Sequence, residues 1–419
     1  MKVFKFGGAS VKDAASVKNV VNILKNFEGE ALCVVISAMG KTTNKLEAII
    51  AAQLNGKIDE AKDLLDALKI VHLNVCEELF LTEEKELKSS IDEIFVEAAN
   101  NLTKYSSSTY NFIYDQVICT GELASTTIVN AYLNYQNVTS VWLDARHLIK
   151  TNAVYREASV KWKKTNTAFK RGFDNTIKQI HVTQGFIGGD DNGFTTTLGR
   201  EGSDFTAAII ANVTNAQSVS IWKDVAGILS ADPKIFDDAT FIPTLSYNDA
   251  IEMTYYGASV IHPKTIKPLQ NKQIPLYVRP FGDVSKTGTV ISAKESAAQQ
   301  PPIIILKENQ TLIQIKSLDF SFIAEGHLSK ILAIFSQHLI KINLFQTAAI
   351  KVYACVNNNP QKIPTLITQL KAAFDVELFE NLKMLTIRNY TAASIDKHQA
   401  NCNILLEQII SKTVQFVYK

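Results

Sequence analysis

The chain has 419 residues, 43 Lys and Arg against 41 Asp and Glu for a formal net charge of +2, and 46% hydrophobic residues. That length exceeds one typical domain, so two or three are expected; near-neutral charge with no basic run argues against nucleic acid or an anionic membrane as partner. Five widely spaced cysteines, Cys33, Cys76, Cys119, Cys355 and Cys402, match no metal pattern and read as buried small hydrophobes in a reducing compartment. No apolar run approaches a bilayer span, and Gly7 and Gly8 interrupt any signal-peptide core, so a soluble, cytoplasmic protein is expected, with small molecules and further copies of itself as partners.

Val3, Phe4 and Phe6, with Lys2 and Lys5 between, predict an opening strand that breaks at Gly7-Gly8, with Ser10 and Asp13 capping the next helix. Two glycines let backbone N–H groups approach an anion closely, so this is a phosphate-binding entry with Lys5 on the strand that feeds it. Val17, Val20, Val21, Leu24 and Phe27 recur at helical spacing, and Ala31 to Ile36 is a continuous apolar strand of the fully covered kind. A loop through Gly40 to Asn44 leads to another helix. From Asp59 to about Tyr105 the pattern is helical, with Leu64, Leu68, Val71, Val75 and Leu79 as the packing stripe.

Val117-Ile118-Cys119 predicts a further strand, Gln179 to Ile187 another, and Asp190-Asp191-Asn192-Gly193 a tight turn. Thr195 to Asp204 feeds a helix from Phe205 to Val213, and Val219 to Trp222 is a strand opening at Lys223-Asp224. This alternation predicts an α/β/α sandwich with a mostly parallel sheet, whose strand-end loops converge on one crevice.

Ser292 to Pro302 reads as a linker. Beyond it come a strand at Thr311 to Lys316, a helix from Leu328 to Leu339 with Ile331, Leu332 and Phe335 inward, and strands at Ile342 to Phe345 and Ile350 to Val356. A helix from Pro360 to Phe374 and a strand from Leu382 to Arg388 complete the βαββαβ order of a ferredoxin-like module. The tail after Tyr390 holds an apolar segment at Ile404 to Ile410 and a strand at Thr413 to Tyr418 that needs a neighbouring edge.

Gly40-Lys41-Thr42 invites a P-loop reading, but Val35 stands where its first glycine belongs, and neither protein-kinase signatures nor a GxGxxG fingerprint follow the first strand. The motifs that remain resemble those of the aspartate kinases. The family's KFGGTS stands here as KFGGAS at Lys5 to Ser10, its SA...TN as Ser37 to Asn44, its GE as Gly121-Glu122 and its QGFIG as Gln184 to Gly188. Its TLGRGGSD is Thr197 to Asp204 with Glu201 for a glycine, its W(T)DVDGI is Trp222 to Ile228, its DPR is Asp232 to Lys234, and its FGA...HP is Tyr256 to Pro263.

The resemblance implies an amino-acid-kinase domain over residues 1–295 with a helical insertion at about 59–115, a ferredoxin-like ACT regulatory module over 303–390, and a truncated second ACT-like tail at 391–419. It implies transfer of the γ-phosphoryl group of ATP, carried with Mg2+, to the side-chain carboxylate of L-aspartate. Lys5 and Asp204 would be catalytic; Ser37, Thr43, Glu122, Arg200 and Ser203 would hold the acceptor. Gly7, Gly8, Lys223, Asp224, Gly227, Leu229, Lys234 and Ser259 would hold the nucleotide, with no dedicated metal site in the protein. Gly326, His327 and Leu328 would meet an amino-acid effector, and the ACT modules would join a homodimer or homotetramer. Ala9, Lys223, Ala226, Leu229, Lys234 and Ser259 depart from the family residues at their positions, and Gln346 to Ala349 replace a Ser-Glu pair of lysine-sensitive members. A catalytically weak, effector-binding homologue and another amino-acid kinase of this fold stand as alternatives.

Overall fold

The structure is a computed structural model that describes residues 1–82, 84–173, 179–258, 261–294, 300–319, 321–400 and 402–419. The chain divides into two units: Met1–Ile228 with Pro243–Ile251 and Val260–Ser296, and Leu229–Ile242 with Glu252–Ser259 and Ala297–Lys419. No described helix is long and apolar enough to cross a membrane.

The elements run β1 (Lys2–Phe6), α1 (Ala14–Lys25), β2 (Leu32–Ile36), α2 (Thr42–Leu54), α3 (Ile58–Leu79), α4 (Lys85–Lys104), α5 (Tyr110–Ile118), α6 (Thr120–Tyr135) and β3 (Ser140–Leu143). Then come α7 (Ala145–Leu148), α8 (Trp162–Gly172), β4 (Ile180–Gln184), β5 (Ile187–Gly189), β6 (Thr195–Thr197), α9 (Gly202–Thr214) and β7 (Ser218–Lys223). After β8 (Ile228–Leu229) and β9 (Phe241–Ile242) follow β10 (Thr244–Ser246), α10 (Tyr247–Tyr256), α11 (Pro263–Gln270), β11 (Leu276–Pro280) and β12 (Thr289–Ser292).

The first unit's main sheet has the order β10-β12-β11-β7-β1-β2-β4-β3. From β11 to β3 every neighbouring pair is parallel, whereas β12 runs against β11. All five residues of β2 are buried, as expected of a strand covered on both faces. Phe4, Phe6, Val34, Ile36, Val182 and Trp222 enter one core with the apolar faces of α1 to α6. Side chains alternate along a strand, so Lys5 points to the opposite face, where α9 packs.

Three local expectations differ from the structure. Val117 and Ile118 end α5 and Cys119 leads into α6, so this triplet is helical; a short apolar run fits a buried helix as well as a strand, and packing decides. The buried face of α3 is Ala61, Leu65, Leu68, His72, Val75, Cys76 and Leu79, which turns Leu64 and Val71 toward solvent. The expected stripe leaves out Ala61, Leu65, His72 and Cys76; the His72 Nδ1 lies 2.9 Å from the Leu68 carbonyl oxygen inside the helix. Asp13 alone caps α1, accepting the Ser16 N–H at 2.8 Å, while Ser10 is buried in a 3-10 turn over Gly8–Val11.

In the second unit β13 (Ile303–Lys316), α12 (Glu325–Gln337), β14 (Ile342–Thr347), β15 (Lys351–Asn357), α13 (Ile363–Lys371) and β16 (Asp375–Arg388) form the βαββαβ module. They are followed by α14 (Ala392–Gln399), β17 (Ile404–Ile410) and β18 (Thr413–Tyr418). The sheet order is β14-β15-β13-β16-β18-β17, antiparallel throughout. The apolar tail segment is a strand too, and the two tail strands form a hairpin on the outer half of β16. Ile331, Ile334 and Phe335 face the core, but Leu332 is turned outward, one position off the inward stripe. The register of β13 against β16 shifts around Gln310. There the buried Gln310 Oε1 accepts from Asn343 Nδ2 at 2.8 Å, and Asn357 Oδ1 accepts from the same nitrogen at 2.7 Å, so the irregular backbone is lined by paired amides. Of the expected linker, Ser292 closes β12, and 295–299 lie outside the described residues.

Candidate active site

The alternation of β1 brings the Lys5 ammonium to α9, where Asp204 occupies the first turn and its Oδ1 lies 2.6 Å from Lys5 Nζ. The two side chains are only 12% and 6% exposed, so neither charge has much water to replace the other. The helix N-terminus favours the carboxylate further. Beyond Lys5 the chain must pass close to the β2–α2 loop: a Cβ on Gly8 would meet the Ala38 and Gly40 carbonyl oxygens at 2.8 and 2.9 Å. Gly40 N–H donates to the Gly8 carbonyl at 3.0 Å, which locks the two loops together.

Glu122 stands in the first turn of α6 with 2% exposure. Gly121 permits this, since a Cβ there would lie 2.8 Å from that of Ala38. The Ala38 N–H donates to Glu122 Oε1 at 3.3 Å, while Oε2 is buried without a hydrogen-bond partner. Burial pushes the carboxyl up to about 8, against the opposing pull of the Ala38 N–H. Ser125 Oγ donates to the Ser37 carbonyl at 2.8 Å, and Thr43 lies in the first turn of α2.

The loop carrying Arg200 is anchored by a residue that sequence reading passed over. Asp115, fully buried, accepts from the Thr197 N–H at 2.9 Å, the Thr197 hydroxyl at 2.8 Å and the Arg156 N–H at 3.0 Å. Burial raises its carboxyl to about 6 even so. Gly199 has φ +75°, and a Cβ on it would stand 3.2 Å from the Arg156 carbonyl oxygen. Glu201 is left-handed at φ +53°, which explains why a glycine suits this position elsewhere. Its carboxylate accepts the His262 N–H at 3.0 Å, tying the loop to the start of α11.

Lys5, Ser37, Thr43, Glu122, Arg200, Ser203, Asp204 and Lys223 all line one cavity of about 930 Å³. Tyr114, Arg156 and Phe186 line it too and were not singled out in the sequence. Phe186 lies within the Gln184 to Gly188 motif; Arg156, at positive φ, lies outside every motif, whereas Asp115 between Ile113 and Ile118 is the kind of isolated charge that could have been noticed. Gly7 adjoins the site, a Cβ on it lying 3.4 Å from Lys5 Nζ. Asp224 and Gly227 follow Lys223 on the next loop and do not line the cavity. Leu229 and Lys234 belong to the second unit, and Ser259 lies outside the described residues. Gly326, His327 and Leu328 form the first turn of α12, with Gly326 exposed and the Ala324 N–H donating to His327 Nδ1 at 3.3 Å. Among the described residues no three His, Cys, Asp or Glu side chains cluster as a metal cage.

Residues 1–280 match the amino acid kinase family. The lysine-sensitive aspartokinase 3 of Escherichia coli is 30% identical over 400 residues, which cover 92% of this chain and 86% of that protein. The chloroplastic aspartokinase 1 of Arabidopsis thaliana is 31% identical over 360 residues, 84% of this chain and 62% of the relative. Escherichia coli aspartokinase III in complex with aspartate and ADP superposes with a TM-score of 0.83 at 27% identity, covering 100% of this chain and 96% of that one. Its complex with lysine and aspartate gives the same score and covers 95% of that chain. With these matches running the length of both units, the chain belongs to the amino acid kinase family and, within it, to the aspartokinases.

Proposed function

We infer that this protein transfers the γ-phosphoryl group of ATP to the side-chain carboxylate of L-aspartate, giving ADP and 4-phospho-L-aspartate, the first step toward lysine, threonine and methionine. The observation that carries this is the 2.6 Å Lys5–Asp204 ion pair inside a cavity that also holds Arg200 and Glu122. A carboxylate oxygen of the acceptor forms the new bond to the γ-phosphorus as the bond to the β,γ-bridging oxygen breaks. The acceptor carboxyl, with a free pKa near 3.9, is already ionised at neutral pH, so the reaction requires no general base. The task is alignment and charge neutralisation. Lys5, aimed by Asp204, offsets the charge gathering between donor and acceptor, and the turn at Gly7 and Gly8 brings N–H groups to the phosphates.

The acceptor's ends suit the other side chains. Arg200 has the planar fork that matches an α-carboxylate. Glu122, with one oxygen buried and unpartnered, is placed to accept from an α-ammonium. Ser37, Thr43 and Ser203 add donors around them. Lys223, Asp224 and Gly227 serve the nucleotide, and Mg2+ enters on the ATP phosphates as part of that substrate.

An amino acid acting as effector at Gly326, His327 and Leu328, assembly as a homodimer or homotetramer through the ACT modules, and a cytoplasmic location complete the reading. Calorimetric titration with lysine, threonine and methionine tests the effector. Trapping the acyl phosphate with hydroxylamine tests the reaction: aspartate with ATP should yield the hydroxamate, and Lys5→Ala should lower kcat about 100- to 1,000-fold, as for loss of one charge-stabilising group. Equal rates in the two proteins, or turnover of glutamate and not of aspartate, would overturn it.

A further inference from the structure

Arg156 lines the cavity, yet the reaction just described gives it no task. Its guanidinium lies 4.5 Å from the centre of the Tyr114 ring and 5.2 Å from that of Tyr110. No described carboxylate forms a salt bridge with it, although its charge reaches the buried Asp115. Tyr114 is fixed in turn by its hydroxyl, which donates to Glu47 Oε1 at 3.2 Å; Glu47 lies one turn beyond Thr43 on α2. An arginine whose flat face rests on aromatic rings keeps the N–H donors along its edge for another acceptor.

The backbone has been shaped to hold it there. Arg156 has φ +72°, a conformation that residues with a Cβ seldom adopt. Its N–H is bonded to the buried Asp115, the same carboxylate that holds Thr197 at the start of the Arg200 loop. Its carbonyl presses on Gly199, next to Arg200. An uncommon backbone conformation kept at a ligand cavity by several neighbours is a sign of use. Charge agrees: Lys5, Arg156, Arg200 and Lys223 line the cavity against Glu157, Glu201 and Asp204, while burial keeps the Glu122 carboxyl protonated at neutral pH. Arg156 thus supplies the lining's net positive charge, which favours an acceptor bearing two carboxylates.

We propose that Arg156 is a second substrate-binding arginine, joining Arg200 on the α-carboxylate of the amino-acid acceptor and making a free α-carboxylate a requirement for turnover. The neighbours that fix it, Tyr114 beside α2 and Gly199 beside Arg200, belong to the acceptor side of the cavity. This rests on the phosphotransfer reading above.

The full-length chain, Arg156→Gly and Arg156→Lys are compared with L-aspartate and with its α-amide, which keeps the reacting side-chain carboxylate. Glycine is at ease at this φ, so Arg156→Gly retains the turn, and its thermal unfolding checks the fold. Arg156→Gly should raise KM for aspartate by about 10- to 100-fold, the worth of a charge-assisted contact, with KM for ATP unchanged. Preference for aspartate over the α-amide should fall by the same factor, and Arg156→Lys should recover only part because it lacks the fork. An unchanged KM for aspartate, or a rise confined to ATP, would overturn the proposal. Calorimetry of aspartate binding separates the two readings. Weakened binding in Arg156→Gly with no acyl phosphate from wild type strikes the kinase reading alone; normal turnover with unaltered aspartate affinity in the variant strikes this one alone.

Discussion

Lys5 and Asp204 each sit where a lone charge is costly, which separates their effects on folding from those on rate. Lys5→Ala leaves the Asp204 carboxylate buried and unpaired and should lower stability by about 3 kcal/mol. Lys5→Met with Asp204→Asn should regain most of that in thermal unfolding while remaining inactive in the hydroxamate assay. Glu122 predicts a pH dependence. Its carboxyl titrates at about 8 in the folded chain, above its unfolded value. Between the two the folded chain holds a proton that the unfolded chain has released, so stability falls as pH rises from about 4.3 to about 8 and then levels off. Glu122→Gln should flatten that decline in melts taken from pH 4 to 9. A substrate ammonium beside Glu122 favours its carboxylate, so aspartate binding at pH 7 should release a proton, measurable by calorimetry in buffers of different ionisation enthalpy. That Lys5, Glu122, Arg200 and Asp204 share one cavity was legible because each lies in or beside a turn that combines Gly, Ser or Thr with charge. Arg156 was not, because its place comes from a left-handed turn held by Asp115 on a separate helix.

At the level of elements, alternation along β1 sorts Phe4 and Phe6 to one layer and Lys5 to the other, so the site follows from the strand's period. The turn after it depends on Gly8, whose φ is ordinary but whose missing Cβ admits the Ala38 and Gly40 carbonyls. Gly8→Ala should destabilise the protein by about 1–3 kcal/mol through overpacking, read in denaturant unfolding, and should raise KM for ATP by displacing the turn. Periodicity located β2, α1 and α9 because each is long enough, or apolar enough, to have one reading. It failed at Val117 to Cys119, where three apolar residues carry no period, and shifted the face of α3, taking Leu64 and Val71 in place of the neighbouring Leu65 and His72 and passing over the buried Ala61 and Cys76.

Across the whole molecule, composition revealed the change of rhythm near residue 300 but not that Leu229–Ile242 and Glu252–Ser259 group with the later sequence. Such groupings depend on contacts distant in the chain, which local patterns do not encode. The tail is likewise more than a remnant: β18 pairs with Lys383 to Arg388 of β16 and buries Val414, Phe416 and Val417. Deleting 391–419 should bare that edge and its apolar face, giving aggregated protein on size-exclusion chromatography.

The fourteen-residue strands β13 and β16 have a further consequence. Each extends, through the irregularity around Gln310, from the half of the sheet beside β15 to the half beside β18, like two floor joists under adjoining rooms. Neither half can be prised open without unzipping main-chain bonds that continue into its neighbour. The two halves of this sheet should therefore melt together, as one transition in thermal unfolding followed by circular dichroism.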